Sequence, residues 1–225
     1  MNTENHASDV IKQRKTAKVL ADAPWEPSLK ASEQEELISD LLELAACAPY
    51  HYKSAAKYHT SGLESPLPFR AYTMTSETCR KLAAQLQSMD LVPGKIVNML
   101  WAAEALLMMT WLPDVFGDQP QEREMEPLPF TGNLRNMEHI AASSAAIQNI
   151  LIGATQKGFP NYWSSGGVLR HKPARQLLSV PLEEMLLGCL FIFPEDAHER
   201  GVEIKPGKFH NEGKNIRTWS KSITL

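Results

Sequence analysis

Residues 133–158 contain no proline and place Ile140, Ser144, Ile147, Ile150, Leu151 and Ala154 on one helical face. At 1.5 Å per residue such a helix is about 37 Å long, enough to cross any single domain that this chain can build. Small residues fill the positions between, so a second helix can approach closely, and Gly158 supplies a stop. The rest of the chain must therefore wrap around one central rod, whose end is expected to reach a subunit interface.

The flanking segments supply a sheet and further helices. Ser32 and Glu35 read as a capping box opening a helix over 32–48, with Leu37, Ile38, Leu41, Leu42, Leu44 and Ala45 on helical spacing. Residues 69–74 predict a strand; Leu82, Ala83 and Leu86 predict a helix ending at Pro93-Gly94, and 95–103 predict another. ALLMMTWL at 105–112 is continuously apolar, as in a strand buried on both faces. Strands are also expected at 161–165 and 185–193, with a short helix at 173–178. Residues 113–132, rich in proline and acid, read as a long loop of the kind that forms lids, with Phe116 and Phe130 able to cover a ligand. The polar tail over 195–225 has too few apolar groups for its own core and is expected to pack on a partner.

One domain over 1–225 accommodates all of this. A net charge of −3 gives no broad positive field for nucleic acid. Cys47, Cys79 and Cys189 are scattered and odd in number, which argues against disulfides and a thiolate metal site and for reduced, cytoplasmic thiols. No apolar run approaches the ~20 residues of a membrane span.

Three groupings can carry chemistry. Arg14, Thr16 and Lys18 share one face if extended, with Lys15 beside them; a fork, a hydroxyl and an ammonium suit a phosphate, and equally make a solvated basic turn. Trp163-Ser164-Ser165-Gly166-Gly167 ends a strand in a glycine pair, either an ordinary turn or a place where backbone N–H groups meet a flat ligand. Pro49, Tyr50, His51, Tyr52 and Lys53 form a helix-end loop that is either plain surface or a ligand contact. His139, inside the long helix, reads as structural. The chain has no GxGxxG, GxxxxGK[ST], HExxH or G-x-S-x-G motif, so reactivity should come from a cofactor.

Taken in order, these segments resemble the nitroreductase family. VIKQRKTAKVL is similar to its opening R-x-S-x-K/R signature, LLELAACAPY to its helix ending in Ala-Pro, and the stretch from HIAASSAAIQNILIGATQKGF through NYWSSGGVL to RQLLSVP to its long helix, glycine turn and following motif. MLLGCLFIFPE matches the closing strand. The chain departs from the pattern at PYHYKSAAK, at Ser165 where a glutamate is frequent, and in an insertion before Phe69.

The resemblance implies an α+β fold of three layers, with a mixed, mainly antiparallel sheet flanked by helices, in a domain-exchanged homodimer holding FMN at its interface. Arg14, Lys15, Thr16 and Lys18 would hold the phosphate and pyrimidine side, and Trp163, Ser164, Ser165 and Gly166 would line the ring. Pro49, Tyr50, His51 and Lys53 would come from the other subunit, a location that also makes His51 or Tyr50 the candidate proton donor. Lys214 or Arg217 would complete the phosphate site, and Lys95 would reach the flavin carbonyl. The implied activity is electron transfer from NAD(P)H to a small acceptor such as a nitroaromatic or quinone by two-step exchange. The alternative is a flavin-binding protein of the same fold without nicotinamide turnover, in a sensor or flavin-handling role.

Overall fold

The computed structural model describes residues 6–59, 62–114, 130–202, 204–207 and 215–223. Its centre is a four-stranded antiparallel sheet in the order β2 (Phe69–Thr75), β3 (Ala105–Trp111), β5 (Met185–Ile192), β4 (Asn161–Ser164). Every residue of β3 is buried. Leu106 and Met108 face one core with Cys189 and Phe191 of β5, while Leu107 and Met109 face a second core with Leu190 and Ile192. Alternation across a sheet covered on both faces thus accounts for the unbroken apolar run.

The first face is covered by α3 (Ser76–Ser88) and α4 (Ile96–Ala102), with α6 (Lys172–Leu177) beside them. The second is covered by α2 (Ala31–Ala46) and α5 (Leu134–Gln156), the long rod expected from the sequence. Its small residues do what their size suggests: Ala142, Ser143, Ala146 and Gly153 are buried, and a Cβ on Gly153 would overlap the Leu44 side chain of α2. Asn133 caps α5 by accepting the Asn136 N–H at 2.8 Å. Asn136, 1 % exposed, accepts the Asp114 N–H at 2.7 Å and donates to Thr131 O at 2.9 Å. It thereby clips together the two stems of the 113–132 loop, and Phe130 packs edge-on against Trp111. Phe116 lies outside the described residues.

Several boundaries shift from expectation by one to a few residues, and two of the shifts are informative. The α2 helix starts one residue earlier, because Glu33, not Glu35, reaches back to the Lys30 N–H at 2.8 Å. Nearby, the fully buried Glu104 accepts the Ser28 and Leu29 N–H groups and Gln34 Nε2, tying the start of α2 to the α4–β3 junction. The α3 helix ends at Ser88, short of Pro93. Two elements were not foreseen: β1 (Lys18–Val19) and β6 (Ile204–Lys205) form an antiparallel pair, following α1 (Ala7–Gln13) at the N-terminus. Among the described residues no helix is long and apolar enough to cross a membrane, and no cluster of His, Cys, Asp or Glu could hold a metal.

Candidate functional site

The segment leaving α1 is extended, and burial alternates along it. Ala17, Val19 and Ala21 point into the protein, while Thr16 and Lys18 are half-buried on the opposite side; Arg14 is also half-buried and Lys15 is exposed. The segment runs parallel to β4, with Thr16 opposite Asn161 and the Ala17 N–H donating to Asn161 O at 2.9 Å. This register lays Lys18 over the Tyr162 ring, 5.3 Å from its centroid. The β1–β6 ladder then puts Lys205 opposite Lys18.

Lys95 approaches from the start of α4. Burial lowers the Lys18 pKa, and the positive fields of Lys95 and Lys205 lower it further. Lys18 and Lys205 are thus cross-strand neighbours, with Lys95 near enough for its charge to act on Lys18, a positive field that favours an anion beside Lys18. Burial alone lowers the Arg14 pKa. Lys205 belongs to the site although sequence reasoning passed over it; its only signal is its pairing with Lys18, and a two-residue strand in a polar tail has no local signature.

The turn after β4 sits beside these cations. Gly167 abuts Ile96, the residue after Lys95, and Gly166 has φ +107°, in the left-handed region that glycine tolerates. A Cβ on Gly166 would lie 2.9 Å from Leu186 Cδ2 and 3.3 Å from Arg170 Cγ, so both space and backbone require glycine. The Gly166 N–H, expected to face a ligand, donates to Ser164 Oγ at 3.2 Å. Ser165 is exposed and Ser164 is 5 % exposed. Trp163 turns to the other face of the sheet, its Nε1 occupying the space where Gly188 of β5 lacks a Cβ.

A cavity of about 510 Å³ adjoins Thr16, walled by Lys15, Thr155, Asn161, His198 and Ile204. Asn161 gives its Nδ2 protons to Leu151 O, Thr155 Oγ1 and Phe159 O, while its buried Oδ1 has no partner among the described residues.

The loop 49–53 lies elsewhere. His51 Nδ1 meets Glu138 Oε2 at 2.9 Å and Tyr52 stacks with the Arg135 guanidinium at 5.0 Å, both near the N-terminus of α5. Thr155, next to the Thr16 cavity, is near the other end, about 26 Å along the helix. One chain therefore does not bring Pro49, Tyr50, His51 or Lys53 to Lys18. Arg217 sits on an exposed turn, with its backbone N–H on Asn215 Oδ1 and no side-chain partner among the described residues. Lys214 lies outside the described residues. His139, read from the sequence as structural, is buried, with Nδ1 donating to Leu112 O at 2.7 Å and Nε2 without a partner among the described residues.

No protein-family model and no curated protein matches the sequence. Solved structures do. A nitroreductase-like family protein from Bacillus cereus superposes with a TM-score of 0.56 over 92 % of each chain at 20 % identity. A Parabacteroides distasonis protein described as an NADH dehydrogenase/NAD(P)H nitroreductase gives 0.52, over 98 % of this chain and 100 % of its own, at 16 % identity. One from Desulfovibrio desulfuricans, described as a nitroreductase in complex with FMN, gives 0.50 at 17 % identity, covering 84 % of this chain and 86 % of its own. At these identities the likeness is one of architecture, and it runs nearly the whole length: the chain has the nitroreductase fold.

Proposed function

We propose that this protein is an FMN-dependent oxidoreductase that moves electrons from NAD(P)H to a small organic acceptor such as a nitroaromatic or a quinone. The observation that carries the reading is the register that sets the Arg14–Lys18 segment alongside β4, with Lys205 paired to Lys18, next to the Gly166-Gly167 turn that ends β4. A basic segment carrying Arg14, Lys15, Thr16 and Lys18 beside a side-chain-free turn fits a ligand that is anionic at one end and flat at the other, which is the chemistry of FMN. The FMN bound by the Desulfovibrio desulfuricans relative of the same fold supports that choice.

When bound, FMN would supply two-electron redox chemistry, accepting a hydride from NAD(P)H and passing two electrons to an acceptor that follows it into the same pocket. Thr16 and Arg14, with Lys15 beside them, would bind the phosphate. Lys18, Lys95 and Lys205 would offset negative charge at the pyrimidine side, an electrostatic task that needs no acid or base of their own. The Ser164–Gly166 backbone would fix the ring edge, leaving the open face for the donor and acceptor in turn.

The second wall of the pocket would come from another copy of the chain. The loop 49–53 is held near the N-terminus of α5, about 26 Å along the helix from Thr155 in the cavity wall, so a homodimer is the arrangement that would let Tyr50 and His51 approach a flavin. His51 or Tyr50 would then donate a proton to the acceptor; unchanged turnover in His51→Ala would remove His51 from that role.

The test is anaerobic mixing of the FMN-loaded protein with NADH or NADPH while the flavin absorbance is followed. Bleaching, with recovery on adding a quinone, is expected. Flavin that binds and stays oxidised would instead make the protein a flavin carrier or sensor.

A further inference from the structure

Arg170 follows the glycine turn and bends back over it. Its Nε donates to Ser165 O, and its Nη2 donates to Leu187 O at 3.2 Å. The Leu187 carbonyl belongs to a strand irregularity: β3 and β5 pair Met109 with Gly188 and then Thr110 with Leu186, so Leu187 is skipped by the ladder. The Arg170 stem also packs on Gly166, where a Cβ would stand 3.3 Å from its Cγ. One guanidinium thus joins the turn to the bulge in the neighbouring strand.

The carbonyl of Ser165 and the N–H of Gly166 belong to the same peptide plane, pointing opposite ways. Arg170 holds the carbonyl end, and Ser164 Oγ touches the N–H end at 3.2 Å, the long limit for such a bond. That amide therefore retains capacity for a stronger acceptor. A cation on the carbonyl polarises the plane and strengthens its N–H as a donor.

We infer that Arg170 is a positioning residue: it fixes and polarises the Ser165–Gly166 peptide, so that the amide favours added negative charge on the ligand beside the turn. The inference rests on the flavin reading above. It assigns Arg170 no contact with the ligand and no proton transfer; its effect runs through one peptide plane.

The test compares wild type with Arg170→Met, which keeps the stem over Gly166, and with Arg170→Lys, which keeps the charge but loses the fork. Three readouts are taken: the affinity for oxidised FMN by fluorescence quenching, the midpoint potential of bound FMN by spectroelectrochemistry, and amide exchange at Gly166 in the flavin-free protein. The Met variant should bind oxidised FMN within about threefold of wild type but lose about tenfold for the reduced form, which lowers the two-electron potential by about 30 mV. Exchange at Gly166 should accelerate. If circular dichroism shows that the Met variant does not fold, the Lys variant carries the same two expectations, with a smaller drop in potential. An unchanged potential together with unchanged Gly166 exchange overturns the role of Arg170 while the flavin reading stands. A wild-type protein that takes up no FMN overturns both.

Discussion

Lys18 is held where its charge is disfavoured. It is partly desolvated, it faces Lys95 and Lys205, and its pKa lies below the ordinary 10.5. The folded chain therefore binds that proton less tightly than the unfolded chain, so stability rises with pH between the lowered value and 10.5. Lys18→Met should abolish that rise in urea unfolding and leave flavin-free stability at neutral pH unchanged or higher. The same substitution should weaken FMN binding about tenfold or more, since a charge-assisted bond is worth roughly 1.5–3 kcal/mol. Glu184 shows the opposite sign. It is buried, accepts from Tyr72 at 2.8 Å and from Thr110, and burial raises its pKa despite the nearby Arg70 and Arg175. The folded state then binds the proton more tightly, and stability falls as pH climbs from the ordinary 4.5 through the raised value. Unfolding of Glu184→Gln, followed across the same range, should be flat.

At the scale of elements, the turn after β4 is the most demanding piece of backbone near the site. Gly166→Ala would place a methyl 2.9 Å from Leu186 at a φ of +107°. We expect a loss of about 1–3 kcal/mol in chemical unfolding, with weaker FMN binding in proportion. A stability equal to wild type would mean that the turn can adopt another shape. The sequence displays the elements whose cause is local: α5, β3 and β5 are visible because periodicity records which faces are buried. It also marks Arg14, Thr16, Lys18 and the glycine turn, because alternation and missing side chains are themselves local. It hides what depends on distant pairing. Lys205 joins the site through two ladder pairs, Arg170 acts through a bulge created by β3, and the start of α2 moves because Glu33 meets Lys30 first. Arg217, read from the tail, stands on an exposed turn, and the polar segment around it carries no sequence pattern that fixes its path.

At the scale of the whole molecule, several apolar side chains among the described residues reach solvent: Leu134 and Met137 on α5, and Ile216 and Ile223 in the tail, are more than half exposed. Singly such residues are ordinary, but here they sit on the first turn of the longest helix and in the stretch expected to pack on a partner. Sedimentation should accordingly give twice the chain mass at micromolar concentration, and a monomer would remove the second wall of the pocket. The visible absorption spectrum of the purified protein, with FMN added and excess removed, followed by release and quantitation of the flavin, addresses the central proposal before any turnover is measured. About one FMN per chain, lost in Lys18→Met, is the expected result; a colourless protein that refuses FMN would mean that the fold is present without the chemistry proposed for it.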